Sequence, residues 1–280
     1  MLKLAVSSKI MQGFSLEEII DYTAGTGFEG LELWMHQVQE SGMTAKKLKK
    51  MAAAAGLTCQ LHMDTRDVNL ASTNQIIREA SLRQVLSTLE YAAALGAGII
   101  TVHPGRFSEK KEAVSSQEVW NYQIAVFTEL ARKAESLNLV IGIENMEKRS
   151  KEFILREADI REIILAAGSN SLKATLDVAH LHSACAVIPA IEAWQLPIAN
   201  VHISQSNVQM HLPVYTREAG GIDYAKVFPL LTAKYQGFLV VEGYRRGIEK
   251  ENVRKSYEWL RLWNFASSPS ALKENDTCLC

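Results

Sequence analysis

Eight short apolar runs alternate along the chain with longer stretches of helical periodicity. The runs are LKLAVSS (2–8), EGLELW (29–34), LTCQLH (57–62), AGIITVH (97–103), NLVIGIE (138–144), LKATLD (172–177), PIANVH (197–202) and GFLVVE (237–242). They are strand-length and rich in residues that suit a pleated position buried on both faces, and the later ones open near Gly, Asn, Pro or Ser. After the first run, SLEEIIDYTAGTG reads as a helix, with Ser15 able to cap the first turn, Glu18 three residues later, and Gly25 and Gly27 as stop signals. Helical periodicity returns over 44–55, 74–95, 115–136, 157–167, 184–195, 223–235 and 249–264. Crossover helices demand parallel strands, and eight such units close most economically into a single-domain (β/α)8 barrel over residues 1–265. No Gly-rich phosphate loop follows the first strand, which argues against an open doubly wound sheet. Residues 266–280 lack apolar periodicity and read as a flexible C-terminal tail.

Six of the runs end on a metal-binding or acid/base side chain: His62, His103, Glu144, Asp177, His202 and Glu242. A polar residue at one strand end is common and says little. In a parallel barrel, however, the C-terminal strand ends converge on one face, so these six would gather three imidazoles and three carboxylates around one pocket. Such a pocket reads as a divalent-metal site in an enzyme. Two irregular stretches, 63–72 after the third strand and 203–223 after the seventh, fall on the same face and are where substrate specificity is expected.

Composition narrows the function classes. With 30 basic against 31 acidic side chains in 280 residues, the chain lacks the basic surplus that neutralises a phosphate backbone, which disfavours a nucleic-acid partner. The clusters KKLKK (46–50) and RR (245–246) read as a solvated helix face and a loop. No apolar run approaches the roughly 20 residues of a membrane span, and MLKLAVSSKIMQGFS has no signal-peptide pattern. A cytoplasmic location is the expectation. Four scattered cysteines, Cys59 in a strand, Cys185 in a helix, and Cys278 and Cys280 at the end, fit a reduced compartment without structural disulfides.

The strand ends lie in local patterns: LHMDTRDVNLAS, VHPG, IEN, LDVAH, VHIS, HLP and VVEGY. In their order and spacing over residues 1–264 the chain resembles the xylose isomerase-like superfamily of TIM barrels, which joins sugar isomerases and epimerases with endonuclease IV-type nucleases. The sugar-processing branch implies one divalent ion held by Glu144, Asp177, His202 and Glu242. Carboxylates suit Mn or Mg, and the imidazole shifts preference toward Mn, Co or Zn. The same resemblance makes Glu144 and Glu242 the acid and base on opposite faces of the substrate. The nuclease branch implies further ligands, matched here by His62, His103, His180 and His211. Where its loop carries Asp-x-His, this chain has Gln209-Met210-His211, which argues against a three-metal cluster.

The leading expectation is therefore a metal-dependent isomerase, epimerase or related lyase. Its substrate is a small-molecule carbohydrate, a sugar or polyol-derived hydroxy-ketone, and the resemblance implies a homo-oligomer. The alternative is a metal-dependent nuclease acting at abasic sites in DNA. Glu32 and Trp34 are placed at the pocket floor, with Trp34 either packing or offering a sugar-stacking platform. His36 and His182 are placed on the surface or in loops, and Arg217, Arg245 and Arg246 are offered as partners for a substrate phosphate or carboxylate.

Overall fold

The computed structural model describes residues 2–109, 116–207 and 209–263, and in it the eight runs are eight parallel strands. These are β1 (Lys3–Ser7), β2 (Gly30–Trp34), β3 (Thr58–His62), β4 (Ile99–Val102), β5 (Val140–Glu144), β6 (Leu172–Asp177), β7 (Ile198–Ile203) and β8 (Phe238–Val241). Each pairs with its neighbour in sequence, and β8 returns to β1 from Lys3–Phe238 to Val6–Val241, closing the barrel. The expected (β/α)8 architecture is the observed one. The tail at 266–280, with Cys278 and Cys280, lies outside the described residues.

The helices are α1 (Leu16–Thr26), α2 (Met35–Ser41), α3 (Ala45–Ala54), α4 (Gln75–Leu95), α5 (Ser116–Ser136), α6 (Glu157–Ala167), α7 (Val178–Ala184), α8 (Val187–Ala193), α9 (Tyr224–Lys234) and α10 (Glu249–Arg261). Helix α1 opens with the capping box read from Ser15 and Glu18; it runs through Gly25 and stops at Gly27, whose φ of 107° suits only glycine. Two short helices were not legible in the sequence. One is α2, seven residues without room for a clear apolar repeat. The other is α7, which precedes the helix expected over 184–195; that expectation corresponds to α8 alone. Cys185 is extended at φ −163° and breaks them, so it is not helical as expected. Helix α8 restarts just before Pro189, since proline has no N–H to give and is accepted in a first turn.

Alternation along the strands sorts the buried side chains into two sets. Leu31, Leu33, Ile141, Ile143, Leu176, Val201 and Ile203 share the large apolar core with helix residues such as Phe127, Ile163, Leu231 and Val253. The interleaved positions face the barrel axis. At its N-terminal end Ala5, Phe238 and Val240 form a separate apolar plug. Above that plug the interior is polar, with Glu32, Thr101, Thr175, Asn200 and His202 all fully buried.

Both irregular loops are fastened to strand ends by glycines. A Cβ on Gly105 would stand 2.1 Å from the backbone nitrogen of Ala71, and one on Gly243 would stand 2.1 Å from the Leu212 carbonyl oxygen. Asn69 reinforces the first contact, accepting from the Arg106 N–H at 2.9 Å and donating to the Arg106 carbonyl at 3.0 Å. Gln205 reinforces the second loop, exchanging backbone bonds with Leu212 at 2.9 and 2.8 Å. Among the described residues, no helix is long and apolar enough to cross a membrane.

Gly105→Ala should lower unfolding stability by about 1–3 kcal/mol, because the loop must shift or strain, and should speed hydrogen exchange across residues 63–72. Urea denaturation and exchange mass spectrometry check this; a wild-type midpoint would show that the close approach carries no structural weight.

Candidate metal centre

Parity along β5 to β8 brings four side chains to one point above the polar interior. The nearest donor atoms of Glu144, Asp177, His202 and Glu242 all lie within 4.8 Å of one another, and all four residues are buried. His202 Nδ1 stands 3.1 Å from Glu144 Oε1 and 3.3 Å from Glu242 Oε2. Two more groups continue the band. His103 Nε2 and His62 Nε2 lie 2.9 and 3.5 Å from Glu144 Oε2, and Asp177, His180 and His211 form a third group in which two imidazole Nε2 atoms are 3.2 Å apart. All eight residues singled out from the sequence therefore meet, with Glu144 and Asp177 each shared between two groups.

The chemistry of these atoms fits a divalent cation. Glu144 Oε2, Asp177 Oδ2, Glu242 Oε1 and His62 Nε2 are buried without a hydrogen bond, an arrangement that is costly unless something else satisfies them. Among the described residues, the ion-pair partners of Glu144 and Glu242 are all histidines. Mixed carboxylate and imidazole donors match Mn, Mg, Co or Zn.

Three of the inward imidazoles, those of His62, His180 and His202, are fixed by a bond from the far nitrogen, which assigns the tautomer. His62 Nδ1–H donates to the Met63 carbonyl at 2.8 Å, and His180 Nδ1–H donates to the Asn145 carbonyl at 2.9 Å. That leaves the His62 Nε2 lone pair free and the His180 Nε2 lone pair facing His211 Nε2. His202 is turned the other way: Nε2–H donates to Glu32 at 3.2 Å, leaving Nδ1 for the centre.

Glu32 is therefore more than the pocket floor the sequence suggested. Asn200 Nδ2 donates to it at 2.7 Å and Thr101 Oγ1 at 3.2 Å, and Thr101 meets Thr175 at 3.3 Å. One signal could have exposed its role, a carboxylate in the middle of the buried run GLELW, which needs a partner. Asn145 was likewise missed. Its side chain accepts from the Asp177 N–H at 2.9 Å and donates to the Asp177 carbonyl at 3.0 Å, locking the end of β6.

Without a bound cation the charges settle unevenly. Burial opposes ionisation of Glu144, but the fields of His103 and His202 outweigh it and hold that carboxyl well below its usual range. Glu242 is likewise opposed by burial and brought by His202 down to about 2. Burial pushes Asp177 up to about 7. For His202, burial is outweighed by Glu242, Glu32 and Glu144, and the imidazolium persists well above the usual histidine range.

Three peripheral expectations change. His36, expected at the surface, is 3% exposed on α2, with its ring edge-on to Trp34 at 5.6 Å. His182 belongs to α7, not a loop, and meets Ser206 Oγ at 2.8 Å. Trp34 offers no open face to a sugar. His62 stacks on the indole at 3.9 Å and the Lys9 ammonium lies 4.3 Å over it; two groups so near one ring centre must take opposite faces.

Comparison with known proteins agrees with this architecture. The family described as xylose isomerase-like TIM barrel matches residues 20–263. The uncharacterized protein MJ1311 of Methanocaldococcus jannaschii is 24% identical over 91% of this chain and 89% of its own length. Among solved structures, an L-ribulose 3-epimerase superposes with a TM-score of 0.81 at 19% identity, covering 94% of each chain. A D-tagatose 3-epimerase-like protein gives 0.79 at 23% identity, covering 93% of this chain and 96% of the other. The 3-keto-D-glucoside 4-epimerase YcjR of E. coli gives 0.74 at 21% identity, covering 94% and 100%.

Two outcomes are expected. Glu32→Gln removes the charge and one of the two acceptor oxygens that orient His202 and should weaken metal binding about 10- to 100-fold without unfolding the barrel; unchanged affinity by competition with a chelating dye would reject the anchoring role. The second concerns pH. In the metal-free protein the raised His202 and Asp177 keep protons that the unfolded chain gives up, so their stabilisation is present at low pH and is lost as pH rises from roughly 4 through 7 and above. The lowered Glu144 and Glu242 act oppositely, and their stabilisation is lost only as pH falls below the ordinary glutamate range, toward about 2 for Glu242. The lowered His103 and His211 offset part of this response between about pH 5.5 and 8, so the sharper expectation is that added Mn raises the melting temperature more at about pH 8 than at about pH 5.5, since metal competes with protons. Calorimetry showing the opposite order would contradict these charge assignments.

Proposed function

Since the chain belongs to the xylose isomerase-like TIM barrel family, we propose that it is a divalent-metal-dependent isomerase or epimerase acting on a sugar or polyol-derived hydroxy-ketone. The observation that carries this reading is the placement of two carboxylates, Glu144 and Glu242, at 3.1 and 3.3 Å from the same nitrogen of His202. Moving a proton on carbon next to a carbonyl needs a base to take it and an acid to return it from another direction. Glu144, Asp177, His202 and Glu242 would hold the cation, whose contribution when bound is to polarise the carbonyl and make the neighbouring C–H more acidic.

The remaining work falls to the chain itself. Glu144 and Glu242 are held ionised by the surrounding imidazoles, as bases must be. One carboxylate accepts the proton from the carbon; the other first takes a proton from a substrate hydroxyl or solvent and then delivers it, to the opposite face to invert that centre or to the neighbouring carbon to isomerise the sugar, and exchange with solvent returns both to their starting states. His202 keeps both carboxylates in place through Glu32. Close backbone approaches at Gly105 and Gly243 hold Ala71 and Leu212 of the two loops against the ends of β4 and β8. The epimerase names of the similar structures support the same class of chemistry.

One observation favours a second reading, phosphodiester cleavage at abasic DNA: the ligand groups His62–His103–Glu144 and Asp177–His180–His211 flank the central four. It ranks lower because Gln209, which replaces the carboxylate of that loop motif, is exposed, and the chain carries a formal net charge of −1.

Metal-loaded protein incubated with ketoses in heavy water should place deuterium on the carbon next to the carbonyl, read by proton NMR. Glu144→Gln and Glu242→Gln should each slow that exchange at least about 100-fold, judged per bound metal. Wild-type exchange in either variant would remove that residue from proton transfer. Two or three zinc ions per chain together with nicking of an abasic duplex would transfer the assignment to the nuclease reading.

A further inference from the structure

Lys9 is a charged side chain at the barrel mouth that the metal centre does not use. Lys9 follows β1 in the turn Ser8–Met11, and β1 lies beside β8, whose end carries Glu242. Neighbouring strands are about 4.8 Å apart, so Lys9 sits one strand over from the proposed catalytic carboxylate and feels its charge.

Its surroundings are those of a binding group and not of a surface lysine. Lys9 is half-buried, with its ammonium 4.3 Å over the indole of Trp34. No ion pair within 4.0 Å among the described residues includes it. Asp64 pairs with Arg66 at 3.0 Å, and Glu242 faces His202 at 3.3 Å through one oxygen, its other oxygen being buried without a hydrogen bond. His36 meets the same indole edge-on, buried, with Nδ1 unpartnered. Burial holds the Lys9 ammonium below the usual lysine range, and its three N–H donors have no acceptor assigned to them. Arg217, Arg245 and Arg246, the cations suggested by sequence, are exposed in the loops after β7 and β8.

We propose that Lys9, steadied on Trp34 beside His36, is the specificity contact for an anionic oxygen group, a carboxylate or a phosphate, carried by the substrate. The inference rests on the hydroxy-ketone reading of the same site. Four buried carboxylates, Glu32, Glu144, Asp177 and Glu242, give this mouth a field that opposes an anion. A neutral hydroxyl would not need a cation there, whereas a charged oxygen does, and its hydrogen bond to an ammonium is the stronger kind.

The test does not depend on turnover. Mn-loaded protein is acetylated with acetic anhydride in the presence of glucitol, gluconate or glucitol 6-phosphate, and Lys9 is followed by peptide mass spectrometry. Exposed Lys46 and Lys50 of α3 serve as internal references. At about ten times its dissociation constant, a bound acid should slow Lys9 labelling about tenfold, and the acid that protects identifies carboxylate or phosphate as the group. Equal protection by all three compounds, or by none, overturns the proposal. In deuterium exchange, Lys9→Met should raise KM for an acidic ketose and Lys9→Arg should restore most of it; an unchanged KM in the Met variant also overturns it. If no ketose exchanges, the proton-transfer reading fails, and the labelling result still decides Lys9.

Discussion

Four carboxylates share the interior of this barrel, Glu32, Glu144, Asp177 and Glu242, and among the described residues their ion-pair partners are imidazoles, with no lysine or arginine. Concentrated negative charge in a dry cavity is costly unless a cation answers it. The rest of the structure is organised by that requirement. Imidazoles take the near positions, and the outer nitrogens of His62, His180 and His202 are tied to carbonyls or to Glu32, which turns their other nitrogens inward. The fold tolerates this because the apolar energy lies elsewhere, between the outer faces of the strands and the helices, with only a small plug on the axis.

Support for the centre comes from residues that never touch it. Asn145 fixes the backbone of Asp177, Asn200 and Thr101 hold Glu32, and Glu32 holds His202. A ligand set needs such bracing, since a metal or substrate must find its donors in place and not pay to assemble them. The loops contribute in the same way. Glycine at 105 and 243 lets backbone approach backbone just beyond His103 and Glu242, so the segments most exposed to solvent are anchored next to the residues that most need fixed positions.

The contiguity of the three ligand groups gives this site a dual character. Its central four residues suit one cation and proton transfer between carbons, while the flanking histidines offer donors on either side. Replacement of the loop carboxylate by Gln209 weakens one flank, and Trp34, closed off by His62 and Lys9, gives the mouth a cationic edge in place of an open stacking surface. Family membership settles the architecture; these particular side chains are what distinguish one chemistry from another on a shared barrel.

Periodicity alone carried the barrel. Eight doubly buried runs with helices between them admit few other topologies, and a polar residue closing six of those runs is visible because strand ends are visible. Short helices escaped, since seven residues of α2 or α7 hold too few turns for a repeat to register. What the sequence determined is thus which residues reach the catalytic face. Only the tertiary structure decided their roles: Glu32 and His202 are 170 positions apart, and Lys9 becomes a mouth residue because β1 closes against β8. Such pairings depend on parity and register between strands distant in the chain, and local pattern contains no record of either.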